Sequence, residues 1–109
     1  MYVYSLTIGR NIGSEPMTKL SWGWFQHDAM EMLRSAALDA ALHVEAEERS
    51  FGTGVWDGIA EDNATLSIRT PTLMDESVLN QLRKSVKTLA ATFRQDAIAL
   101  TIGTSELIG

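Results

Sequence analysis

Arg10 and Asn11, set between Gly9 and Gly13, come nearest of all residues in this chain to a recognisable chemistry. A guanidinium beside backbone N–H groups that glycines leave uncovered can hold an anion. No lysine followed by serine or threonine stands in that loop, so a nucleotide triphosphate site is not expected. A second glycine-rich stretch, FGTGVWDG, spaces Gly52, Gly54 and Gly58 as G-x-G-x-x-x-G. That is not the dinucleotide fingerprint, and the stretch joins two expected strands instead of opening a helix onto a phosphate. It reads as a hairpin connection whose tip carries Phe51, Val55 and Trp56 as an anchor for a partner. Lys84, Lys87 and Arg94 make the one basic stripe, suited to an acidic partner or to charge-complementary self-association.

Other chemistry is largely excluded. The chain has no cysteine, which removes disulfides, thiol nucleophiles and thiolate metal sites. His43 with Glu45 and Glu47, and His27 with Glu31, share faces by spacing, yet each set lacks further ligands and no metal is expected. Nothing resembles a nucleophile elbow or a spaced triad, so no catalytic residue and no cofactor is assigned. Tyr4, Trp22 and Trp24 could line a pocket between a helix and a sheet, though aromatics at such positions are ordinarily core.

The elements that would position these residues follow from periodicity. Tyr2, Tyr4, Leu6 and Ile8 alternate with Val3, Ser5 and Thr7, the period of a half-buried strand. A helix starts near Thr18, with Trp22, Phe25, Ala29, Met32, Ala36 and Ala40 as its apolar stripe. The period changes to two over about 41–50, and a third strand is expected over 64–70, stopped by Pro71. A second helix opens between Thr72 and Asp75, with Val78, Leu79, Leu82, Val86, Leu89, Ala90 and Phe93 facing the core. The last strand is AIALTI. The order is βαββαβ, a ferredoxin-like α+β fold: a four-stranded antiparallel sheet with both helices on one face. One domain over 1–103 is expected, followed by a short C-terminal tail over 104–109.

Net charge is −5, and Asp39, Glu45, Glu47, Glu48, Asp57, Glu61 and Asp62 crowd the middle of the chain. Such a field disfavours nucleic acid. The open sheet face is expected to carry Val3, Ser5, Thr7, Thr65, Ser67, Arg69, Ala97, Ala99 and Thr101, without the aromatics that read RNA. A face of small residues suits packing against a second sheet, so a homo-oligomer is expected. No apolar run approaches the roughly 20 residues of a membrane span, and no secretion signal is evident, so the expected location is cytoplasmic.

Gly9, Arg10, Asn11 and Gly13, then Trp22, then Gly52, Thr53, Gly54, Trp56, Asp57 and Gly58 resemble motifs of small uncharacterised proteins of actinobacteria and their bacteriophages. The resemblance covers about a third of the chain and carries over no catalytic residue. It implies a phage-encoded accessory protein in a host bacterial cytoplasm. Together these features favour a non-enzymatic module that acts through protein–protein interaction with a host protein partner. The alternative is a small-molecule or anion-binding domain with a minor enzymatic role, using Arg10, Asn11 and the Trp22/Trp24 neighbourhood.

Overall fold

The computed structural model describes the backbone of residues 1–109 and every side chain except that of Trp56. In chain order the elements are β1 (Tyr2–Gly9), β2 (Asn11–Ile12), β3 (Glu15–Pro16) and α1 (Lys19–Asp39). They continue as β4 (Ala46–Trp56), β5 (Ile59–Thr70), α2 (Glu76–Thr92) and β6 (Ala99–Thr104). The four long strands form one antiparallel sheet in the order β4-β5-β1-β6, and β2 with β3 makes a separate small hairpin. This is the ferredoxin-like α+β arrangement that the periodicities predict. Among the described residues no helix is long and apolar enough to cross a membrane.

The core sits between the sheet and the two helices. Tyr4, Leu6 and Ile8 of β1 and Ala64, Leu66 and Ile68 of β5 are all but completely buried, because every second residue of a strand faces the same side. From α1 they meet Phe25, Ala29 and Leu33, each fully buried, and from α2 Leu79, Leu82 and Leu89. Phe25 stacks on Phe93 with ring centroids 4.5 Å apart, and Trp22 meets the edge of Phe25 at 6.1 Å. Buried polar groups here are used: the Tyr4 hydroxyl accepts the Met74 N–H at 2.7 Å, and the Thr70 hydroxyl donates to the Thr72 carbonyl at 2.8 Å.

Both helices are capped as their sequences suggest at the front. Thr18 Oγ1 accepts the Ser21 N–H at the start of α1, and Asp75 accepts the Val78 N–H at the start of α2. The back ends are different. Ala41 and Arg94 take left-handed backbone at φ 55° and 56°, and each closes a paired cap in which two N–H groups reach back to the last turn. Leu42 N–H reaches the Ala37 carbonyl at 2.9 Å, and Gln95 N–H reaches that of Ala90 at 2.8 Å. Glycine normally occupies this position.

Several expected strand boundaries are corrected. The strand expected over 41–50 begins at Ala46, after the helix cap and an irregular approach, and continues through FGTGV to the tip. The reversal is confined to Asp57 and Gly58, at φ 49° and 75°, the geometry of a tight primed turn. Gly52 and Gly54 are therefore strand residues, paired with Asn63 and Glu61. Ala97, expected on the sheet, precedes β6, and the last strand extends instead to Thr104.

Candidate functional site

The open face of the sheet can be read row by row from the register. Ser5 and Ser67 face each other and share a hydrogen bond at 2.7 Å, as do Thr7 and Thr65 at 3.1 Å. Arg69 pairs with Glu48 at 2.8 Å. In the next row β4 and β1 both contribute glycine, Gly52 and Gly9, on either side of Asn63. Beyond it Gly54 lies opposite Glu61. Between the paired rows and the tip, where Ile59 follows on the same face, the described side chains of this stretch are thus one amide and one carboxylate.

The two side chains lean in opposite directions. Asn63 lies toward β4, with Oδ1 3.1 Å from where a Cβ on Gly52 would sit and Nδ2 3.7 Å from one on Gly54. Glu61 lies toward β1, its carboxylate oxygens 2.5 and 2.8 Å from the position of a Cβ on Gly9. That space exists only because residue 9 has no side chain. The Asn11 N–H donates to Glu61 Oε2 at 3.0 Å and holds the carboxylate there. Asn11, Gly13, Asp57, Ile59 and Glu61 line a recess of about 240 Å³ next to it. Among the described residues, Asn63 has no hydrogen-bond partner for its amide within the chain.

Arg10 and Asn11 lie at this same end, with their donors already engaged. Arg10 Nε donates to the Met17 carbonyl at 2.9 Å, and its Nη1 lies 3.5 Å from Asp62. The Asn11 side chain donates to the Ala60 carbonyl at 3.2 Å, and the Asn11 backbone carbonyl accepts from Gln95 Nε2 at 2.9 Å. With Glu61 and Asp62 adjacent, the local field favours a cation over an anion. These two residues build the rim of the site.

The other sequence-derived candidates are dispersed. Phe51 and Val55, 64% and 73% exposed, stand on the opposite, helix-side face of β4. There Phe51 borders a recess of about 310 Å³ with Trp22, Thr53 and Asp62. The Trp56 side chain lies outside the described residues. Lys84 and Lys87 are exposed on α2, and Arg94 forms its C-terminal cap, away from the open sheet face. Tyr4 and Trp22 are core, whereas Trp24 is 56% exposed on another side of α1, so the three do not share a pocket. A hollow of about 740 Å³ beside Leu20, Gly23, Trp24 and His27 is an open apolar slope with few groups to orient a ligand. Glu47 is taken by Arg34, which also binds Glu31, and these bonds raise the arginine's already high pKa. Among the described residues no three His, Asp or Glu side chains come together as a metal site.

Glu61 and Asn63 were not singled out by motif, and Gly9 was marked only as a flank of Arg10 and Asn11. The available signal was the spacing of Gly52 and Gly54, which marks one bare face once the segment is read as a strand.

No family model matches the chain, and no curated protein matches it in sequence. Among solved structures, it is similar to a phage SAM lyase in its apo state. That likeness has a TM-score of 0.65 at 14% identity, spanning 94% of this chain and 78% of that one. A phage SAM lyase in complex with S-methyl-5'-thioadenosine matches with a TM-score of 0.57 at 14% identity, over 94% of this chain and 79% of the other. At this identity the likeness is one of fold. It overturns the expectation of a non-enzymatic accessory module, because the architecture shared over nearly the whole chain is one on which an enzyme is built. The likeness backs the alternative, a small-molecule or anion-binding domain with a minor enzymatic role, better than the main expectation.

Proposed function

We propose that this chain is a small-molecule enzyme that takes an adenosyl sulfonium such as SAM and releases a neutral thioether. The observation that carries the proposal is the Glu61 carboxylate, held over Gly9 beside an unpartnered amide on a bare sheet end. It gains support from a fold in common with a phage SAM lyase. A carboxylate with one fixed hydrogen bond and a clear face suits a soft, poorly hydrated cation.

The chemistry sets what Glu61 does. When S-methyl-5'-thioadenosine leaves, a carbon–sulfur bond breaks and its electron pair stays on sulfur. The remaining fragment satisfies its carbon from within itself, as in any lyase that adds neither water nor another group. Positive charge on sulfur is lost on the way to the transition state. A nearby carboxylate therefore favours the bound substrate at least as much as the transition state. Glu61 is a binding and orienting group, and the Asn11 N–H fixes its direction.

The test is chromatography of protein incubated with SAM, following S-methyl-5'-thioadenosine. The wild-type protein is expected to release it. Glu61→Gln keeps shape and removes charge, so KM should rise by about tenfold to a hundredfold while kcat changes far less. No release, together with no binding of either compound at millimolar concentration, would end this reading.

A further inference from the structure

We infer that Asn63 determines specificity at this site by reading the edge of a 6-aminopurine, an inference that rests on the function proposed above. Three observations support it. The first is chemical. An asparagine amide offers one donor and one acceptor side by side, matching the amino group and ring nitrogen on one edge of adenine. A 6-oxopurine presents two acceptors on the corresponding edge, so one of the two hydrogen bonds is lost.

The second is availability. Ser5, Ser67, Thr7 and Thr65 spend their hydroxyls on one another, and Glu48 is tied to Arg69. The Asn63 amide is the one carboxamide on this face among the described residues, and it has no partner among them. Gly52 and Gly9 flank it, so neither directly paired residue puts a side chain between the amide and a planar ring.

The third is spacing. Asn63 and Glu61 are successive residues on the open face of β5, about 7 Å apart at a rise of roughly 3.4 Å per residue. One ribose bridges a comparable gap between a nucleoside's base and its 5' sulfur. Arg69, by the same measure, lies about 20 Å from Asn63, too far to share that ligand. The geometry therefore pairs the amide with the base and the carboxylate with the sulfur.

The experiment is calorimetric titration with S-methyl-5'-thioadenosine and with its 6-oxo counterpart, S-methyl-5'-thioinosine. Wild-type protein should prefer the adenosine compound by about tenfold to a hundredfold. Asn63→Ala should bring the two affinities within about twofold of each other, by weakening the adenosine compound alone. Its melting temperature should match the wild type, because the amide it removes has no partner among the described residues. A wild-type protein that binds both compounds equally, or an Asn63→Ala protein that keeps the preference, overturns the role of Asn63 and leaves the proposed function standing. Binding of neither compound, with no turnover of SAM, overturns both.

Discussion

The open sheet face has two halves built on the same strands, and they treat polar groups in opposite ways. Around Ser5, Thr7, Thr65, Ser67, Glu48 and Arg69, each polar side chain has found another. Around Gly9, Gly52, Gly54, Asn63 and Glu61, the neighbours have been deleted, and the two side chains left point at open space or at a single backbone N–H. Cross-strand pairs stabilise a sheet by a few tenths of a kcal/mol to about 1 kcal/mol each. The bare half forgoes that stabilisation. Such a local inconsistency between what stability favours and what the residues do is where function is to be sought.

The difference can be broken from either side. The largest expected effect is on Glu61, through the loss of substrate affinity in Glu61→Gln already described. Gly9→Ala should come next. The added Cβ would lie 2.5 Å from the carboxylate, so Glu61 must swing away and release the Asn11 N–H. The moving group is the flexible end of a side chain, and alanine suits a strand better than glycine by about 0.5–1 kcal/mol. Thermal stability should hold while substrate affinity falls by about tenfold, measured by titration against a parallel melting curve. A protein that unfolds on this change would place Gly9 among packing residues.

Gly52 and Gly54 sharpen the comparison within one strand. A Cβ at Gly52 would sit 3.1 Å from the Asn63 oxygen, whereas at Gly54 it would meet only an ordinary contact of 3.7 Å. Gly52→Ala should cost severalfold in affinity for the thioether, and Gly54→Ala much less, in the same titration. In the paired half the sign is reversed. Ser67→Ala leaves the half-buried Ser5 hydroxyl without its partner, lowering stability by about 1 kcal/mol in denaturant melts with turnover unchanged. The smallest effect is at the end of α1, where Ala41→Gly relieves a left-handed alanine and should add up to about 1 kcal/mol.

What could be read from sequence divides along the same line. The strand of Tyr4, Leu6 and Ile8 and the stripe of Leu79, Leu82, Val86 and Leu89 were legible because burial imposes a period. The start of α1 was legible from Thr18, which caps it. The ends of both helices carried no glycine, since Ala41 and Arg94 take the left-handed cap, so the following strand was placed too early. Glycines inside β4 read as a loop for a related reason. Glycine is depleted from strands on grounds of stability, and here its purpose is space. Glu61 was visible only as one of several acids, because its distinction depends on Gly9, which lies far from it in sequence and diagonally across from it in the sheet.

The Asp57–Gly58 turn has a further consequence. Past Asp62, where Arg10 N–H makes its bond to the strand at 2.9 Å, the hairpin has left β1 behind, and beyond its own two strands the arm is tied by Asn11 to Glu61 and to the Ala60 carbonyl. A lone pair of strands is marginal in water, so its amides should open at a lower free energy than those of β1. Asn63 and Gly9 stand on the slow-exchanging side of that border, and Gly54 on the fast side, with Glu61 just beyond it. The floor beneath Asn63 would then stay shut to deuterium while the rim breathes, a route by which a bulky nucleoside could enter without loosening the core.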